Sequence, residues 1–486
     1  MSFNSTPMIH QLRADFEKLI TLVTSPEAHT ATVNQMERSL FRQVLRLGLK
    51  LLQLFLLTRV QAESHAPQPG VGRTSVPYHS QKPIDYFSIF GKLTFERAYF
   101  YTSGQPGVFP LDDALNLPER CYSDLLMESA ELLAVDSAYD KGLEVMARLL
   151  GLTLSELALE TSVAEHSQQV KAFYRQKDKF PIQEEGRILV AQADGKGVPM
   201  VRRETADLKA RRGKGDKKTR KKEAIATAVY TIEPYPRTPQ AVVDALFKKD
   251  QPSVKRPTPC HKQIFASLDG KEAAIQRLAE WAARRDHPHI RDRVALTDGS
   301  EPLQKQVLAR LLGFTLVLDI IHVDEYIWKA GTAIYGETDP KRAGWVEAQM
   351  LDILSSRADQ VIQQLVDKTQ SVRKSSQAGK VFRQVANYLR RNQPYMDYAD
   401  YLRRGWPIGT GVVEGVCRHL VKDRMELSGM RWALSGAGSL LALRAVNENG
   451  DWEEFHEYRR TQRHEQLYGT PLDESWLDLA ERFEIN

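Results

Sequence analysis

Two short apolar runs that both stop on Asp-Gly constrain this chain more than any other feature. Ile188 to Ala193 runs into Asp194-Gly195, and Arg293 to Thr297 runs into Asp298-Gly299. Runs this apolar have no solvent face to spare, so the strands they predict need cover on both sides. The cover is at hand: a strand at AIATAVYTI (224 to 232), a helix at Lys271 to Arg285 and a helix at Pro302 to Leu312 lie between and after them, followed by a strand at FTLVLDIIHV. Strands and helices alternating in this way predict an α/β domain with a mixed sheet.

The rest of the chain reads as helix. With 486 residues it is too long for one core. Residues 9 to 63 repeat apolar positions at helical spacing through Leu40, Val44, Leu47, Leu51 and Phe55, and end in the Pro/Gly-rich HAPQPGVGRTSVPYHS. Val44 to Val60 is the greasiest stretch, but Arg46, Lys50 and Arg59 make it an amphipathic helix rather than a membrane span. Aromatic and β-branched residues on both sides of Gly91-Lys92 predict a hairpin over 86 to 102. From Cys121 to Gln176 the pattern is helical again. Ala147, Gly151 and Ser155 punctuate two helices there, as in a helix-turn-helix, although the same punctuation suits an ordinary αα-hairpin. After Asp324 no strand is expected before about Arg404. Asp339-Pro340 opens a helix, Val346, Met350, Leu354, Ala358, Val361 and Leu365 mark one long amphipathic helix, and another covers Gln377 to Arg391. The tail from Trp452 is polar and helical.

Charge is concentrated. The chain has 67 Lys and Arg against 62 Asp and Glu, a formal +5, but residues 202 to 222 alone hold eleven Lys/Arg against Glu204, Asp207 and Asp216. Such a run is either a solvated loop or an arm that grips phosphates. Cys121, Cys260 and Cys417 form no C-x-x-C pair, which excludes a disulfide framework or a four-cysteine zinc site and fits a reducing, cytosolic setting. The N-terminal residues show no secretory signal pattern.

Three acids could share a site. Asp194 and Asp298 each have a rigid strand behind them, though a lone Asp-Gly also makes a simple tight turn. Glu414 stands in the first turn of a helix after Gly409-Thr410-Gly411, beside the apolar stripe of Val413, Val416, Cys417 and Leu420, where it could equally just stabilise the helix start. Hard oxygen donors from two strands and a helix can hold two Mg²⁺, or Mn²⁺, about 3.5 to 4 Å apart for an in-line phosphoryl displacement.

The segments QADGKGVPM, ALTDGSEPLQ, LDIIHVDEYIW and PIGTGVVEG resemble the ISKra group of bacterial insertion-sequence transposases, over most of residues 85 to 450. The resemblance implies an RNase H-like catalytic domain with Asp194, Asp298 and Glu414 as catalytic and metal-binding acids. It implies active-site support from Asp319 and His322, an Asp-x-x-His pair, and DNA contact at the Arg431-Trp432 element, where the residues alone favour a packing Trp. It also implies double-stranded DNA, both element ends and target, as partner, a homodimer or larger synaptic assembly, and a cytoplasmic, nucleoid-associated location.

The expected organisation is a helical region (1–65), a linker with the hairpin (66–120), a helical, helix-turn-helix-like DNA-binding region (121–180), the first part of the catalytic domain (186–323), an all-α insertion (324–405), the catalytic C-terminal helix (406–450) and a helical tail (451–486). Lys209, Arg211, Arg212, Lys214, Lys217, Lys218, Arg220, Lys221 and Lys222 are the expected backbone-gripping residues. The chain departs from its relatives at TSGQPGVFPLDDAL, which lacks their cysteine pair, so no zinc ribbon is expected there, and Cys260-His261 is too short a cluster for a metal. An inactive DNA-binding remnant and a non-transposing RNase H-like nuclease of recombination or repair are the competing readings.

Overall fold

A computed structural model describes residues 5–69, 75–205, 221–247, 256–373 and 376–469. Among them no helix is long and apolar enough to cross a membrane. The chain divides into two compact units, one built from the residues up to Gln169 together with those from Trp452 on, the other from Val170–Asp451. The tail is therefore not a separate appendage, since its helix Trp452–Tyr468 belongs to the first unit.

In that first unit, the helical region expected over 9 to 63 is two helices, α1 (Thr6–Thr24) and α2 (Val33–Gln61). Thr32 separates them through a capping box, its hydroxyl accepting from Gln35 N while Gln35 Oε1 accepts from Thr32 N at 2.8 Å. The hairpin is longer than expected. Strand β1 (Tyr78–Ser88) pairs antiparallel with β2 (Gly91–Phe100), so the part of the linker from Tyr78 is strand. Pro83 hid it, because proline is admitted only where a strand lacks one neighbour, as in this two-stranded sheet. Helices α3 (Asp124–Asp136), α4 (Tyr139–Leu150) and α5 (Glu156–Ser167) follow. Between the last two, Gly151 takes the left-handed conformation with φ 70° and the Ser155 hydroxyl accepts from Ala158 N at 3.1 Å.

The second unit holds a five-stranded mixed sheet. Strands β3 (Ile188–Pro199), β4 (Lys221–Ile232), β5 (Cys260–Ser267), β6 (Asp292–Thr297) and β7 (Thr315–Leu318) lie in the order β5-β4-β3-β6-β7. Central β3 is antiparallel to β4 and parallel to β6. Its residues Ile188 to Ala193 are buried on both faces, as the unbroken apolar run demands. β5 had no counterpart in the sequence reading. Pro257 and Pro259 precede it, only Ile264 to Ser267 is buried, and its outer half carries His261 and Lys262, so it reads as a loop until an edge position gives it one partner.

FTLVLDIIHV is not one strand, because β7 stops at Leu318 and Asp319 caps helix α6 (Ile320–Tyr335). An apolar run of this length fits strand and helix alike, and the capping carboxylate decides it. The long helix through Val346 and Leu365 is two helices, α7 (Lys341–Leu354) and α8 (Ala358–Ser371), broken at Ser356 with φ 59°. The apolar period continues across the break because both helices face one core. Val346, Met350, Val361 and Leu365 lie in the same buried cluster as Ile188, Val190, Val294, Leu296 and Val317 of the sheet. Helix α9 (Gln377–Asn392) completes that layer. The helical stretch thus shares its core with the sheet, each large apolar side chain contributing about 1.5 to 3 kcal/mol by burial.

Candidate active site

Asp194 lies within β3, opposite Ala226, and not at the strand tip, since β3 continues to Pro199 as a hairpin with β4. One carboxylate oxygen accepts from Gly195 N at 2.6 Å, the other from the Cys417 thiol at 3.4 Å. Burial raises the Asp194 pKa and the nearby charge of Asp298 adds to it. Burial, with Asp194 next, also pushes the Cys417 thiol far up, so it serves as a neutral donor and not as a nucleophile.

Asp298 follows β6 directly. Its Oδ1 accepts from Ser300 N at 2.9 Å, and Gly299 beside it has φ 88°. A Cβ on Gly299 would meet Tyr388 Oη at 2.8 Å. This turn is held from the helical layer: the Tyr388 hydroxyl donates to Asp298 O at 3.0 Å and Arg391 donates to Gly299 O at 2.6 Å. Tyr388 itself stacks on Tyr326 of α6, ring centres 3.8 Å apart.

Glu414 sits in the first turn of α10 (Gly411–Val416) and accepts from the Thr410 hydroxyl at 3.0 Å. Fully buried Gln192 ties this helix to β3, accepting from Val413 N at 3.0 Å and donating to Gly409 O at 3.3 Å. The helix then passes into a π-helical stretch, Cys417–Lys422, of the kind that recurs at functional sites.

Asp319, fully buried, is the hub between these parts. Its Oδ1 accepts from Thr410 N at 2.8 Å, while Oδ2 accepts from His322 N at 2.9 Å and lies 2.6 Å from His322 Nδ1. That hydrogen bond, outweighing burial and helped by the charges of Asp319, Asp298 and Glu325, raises the His322 pKa to about 9. The ring is an imidazolium at neutral pH. The expected five residues therefore converge, but not evenly: the trio with ligand atoms within 4.8 Å of one another is Asp319, His322 and Glu414. Without a metal, His322 is thus a cation held among carboxylates. The hard oxygens of Asp194, Asp298 and Glu414 suit a divalent cation, and the mutual repulsion that helps raise Asp194 is what such a cation would relieve.

Asp319→Asn should return His322 toward its ordinary pKa of about 6.5, followed by NMR titration of metal-free protein. The raised folded pKa means that the ring contributes stability below the unfolded value and loses it as pH rises through about 9. The wild-type chain should lose thermal stability over that window and the variant should not; equal profiles would disprove the pairing.

Of the basic residues, Lys209, Arg211, Arg212, Lys214, Lys217, Lys218 and Arg220 lie outside the described residues. Lys221 and Lys222 begin β4, and Lys221 pairs with Glu426 at 2.5 Å. Trp432 packs rather than projecting: it exchanges backbone hydrogen bonds with Pro199 and Val201, and its indole donates to Met425 O at 3.1 Å. Arg431 beside it is exposed. The Gly151 turn and Ser155 cap expected between α4 and α5 are present, but α5 carries Glu156, Glu160 and Glu165 and no Lys or Arg, a pattern that repels phosphate. Gln192, Thr410 and Tyr388 escaped the sequence reading. Gln192 had a signal, a polar residue inside a buried strand.

No protein-family model and no curated protein matches the chain. Among solved structures, the Drosophila P element transposase strand transfer complex is similar with a TM-score of 0.23 and 8% identity, over 74% of this chain and 85% of that one, a likeness too slight to decide fold or chemistry.

Proposed function

We propose that the chain is an Asp-Asp-Glu DNA transposase of the ISKra group, with an RNase H-like catalytic core that cleaves and rejoins DNA strands at the ends of its element. What supports this reading is that the charge of Asp298 acts on Asp194 and that Cys417, whose thiol donates to Asp194, is also within reach of the Glu414 charge, so acids of β3, the turn after β6 and the start of α10 are electrostatically linked. A mixed sheet with β3 central, antiparallel to β4 and parallel to β6, supports it.

Asp194, Asp298 and Glu414 would hold two Mg²⁺, which when bound supply an activated nucleophile and charge neutralisation at the leaving oxygen. The chain's own part is positioning. Gln192 and Asp319 set the Glu414 helix against β3, Tyr388 and Arg391 hold the Asp298 turn, and the His322 imidazolium would offset developing negative charge. The basic run that joins β3 to β4 would grip the phosphate backbone without reading sequence. Bringing two element ends together calls for a dimer or larger assembly.

The test is to incubate the full chain with labelled element ends and Mg²⁺ or Mn²⁺. Cleavage followed by joining is expected. Cleavage without joining would replace this reading by a nuclease of recombination or repair, and binding without cleavage by an inactive remnant.

A further inference from the structure

A second group of ligating side chains lies in the first unit, outside the acid site. Glu131 of α3, His166 of α5 and His456 of helix Trp452–Tyr468 bring their ligand atoms within 4.8 Å of one another. The Glu131 side chain is 0% exposed, accepts from Ser162 Oγ at 2.5 Å and stands 2.8 Å from His166 Nδ1. His456 is 1% exposed, and its Nε2 has no hydrogen-bond partner while lying 3.9 Å from Glu131 Oε2. Buried polar atoms are paired as a rule, and an orphaned one costs about 1 to 3 kcal/mol. Here the orphan points at a carboxylate and a second imidazole.

We propose that Glu131, His166 and His456 form a zinc site. Two imidazoles and one carboxylate are a donor set that zinc takes in tetrahedral geometry, with ligand bonds of about 2.0 to 2.2 Å. A cavity of about 250 Å³, lined by Ser162, His166, Gln169, Arg459 and Arg463, reaches the group at His166 and would give solvent access to it. Burial keeps His456 neutral, the form that can ligate. Its Nδ1 accepts from Arg459 Nε at 3.4 Å and lies 3.7 Å from Glu128 Oε1. In the metal-free chain that bond puts the ring proton on Nε2; zinc binding at Nε2 would shift the proton to Nδ1, where Glu128 would replace Arg459 as its partner, the carboxylate–histidine–metal arrangement of many zinc sites. Glu131 and His166 come from neighbouring helices and His456 from far along the chain, so zinc would act as a clasp between helix Trp452–Tyr468 and the helices α3 and α5.

The test uses full-length protein stripped with a chelator and carrying Asp194→Asn, Asp298→Asn and Glu414→Gln, so that the acid site does not compete. One zinc per chain is expected to rebind and to raise the thermal midpoint. His166→Asn and His456→Asn should each weaken zinc binding by about 100-fold or more. Co²⁺ in place of zinc should give the intense visible absorption of a tetrahedral site, a readout that needs no variant at the ligands. Failure of the stripped, folded chain to take up zinc or give that spectrum, or unchanged uptake by the His166/His456 double variant, would overturn the assignment and leave a hydrogen-bonded cluster.

Discussion

Asp194→Asn, Asp298→Asn and Glu414→Gln should each lower strand cleavage by on the order of 10³-fold or more, with DNA affinity changed by less than about threefold. Each amide keeps the size of the acid and much of its hydrogen bonding. The amide oxygen at position 194 can still accept from Gly195 N, and the one at position 414 can still accept from the Thr410 hydroxyl. What is lost is the anionic oxygen, and with it the hold on the cation. Single-turnover cleavage of labelled ends, alongside binding measured without metal, separates the two effects. The geometry also supplies the rival outcome. Full activity in the Asp194 and Asp298 variants, with loss in Glu414→Gln and Asp319→Asn, would move the centre to the tighter Asp319, His322 and Glu414 group.

The largest effect on stability is expected at Arg285. This buried guanidinium makes a two-pronged pair with Glu185, 2.9 Å from Nε and 2.5 Å from Nη2, and also donates to the carbonyls of Val229, His261 and Cys260. Thr231 completes the carboxylate at 2.5 Å. Arg285→Met leaves Glu185 charged, buried and without its cation, at a cost of about 3 to 5 kcal/mol. The thermal midpoint should fall by roughly 10 °C. The second change Glu185→Leu should recover part of the loss, because it removes the stranded charge.

The pair also sets an acid limit. Burial alone would raise the Glu185 pKa, but the Arg285 and Thr231 hydrogen bonds prevail and lower it. A lowered folded pKa gives stability that is complete above the unfolded value, about 4.3, and fades as pH falls through the folded one. Wild-type protein should therefore destabilise below about pH 4 more steeply than the double variant. Parallel profiles would show that the pair carries no linkage.

The sheet strands with long apolar runs were legible in the sequence, and so were the acids that follow them, because a charged residue closing a buried run has few structural reasons to be there. Asp319 and His322 were legible as a pair but misplaced on a strand, since the same apolar spacing serves a capped helix. β5 was not legible, because an edge strand needs only half its residues buried. Tyr388 and Arg391 were not either: the contacts that make them matter, to Asp298 O and Gly299 O, are backbone contacts across distant segments that leave no motif. Glu131, His166 and His456 were silent for the same reason, scattered singly over three helices.

The return of helix Trp452–Tyr468 to the first unit bears on the order of events during synthesis. Arg459 and Arg463 of that helix pair with Asp124, and Arg460 with Glu128. These carboxylates are made before Val170–Asp451 and their partners after it. A ribosome adding about 5 to 20 residues per second exposes the whole stretch Val170–Asp451 before the last helix emerges. The first unit is thus completed only after Val170–Asp451 has emerged, and the second unit folds as an insert within it. A premature stop after Asp451 would yield a chain whose sheet is complete but whose first unit keeps Asp124 and Glu128 without their arginines.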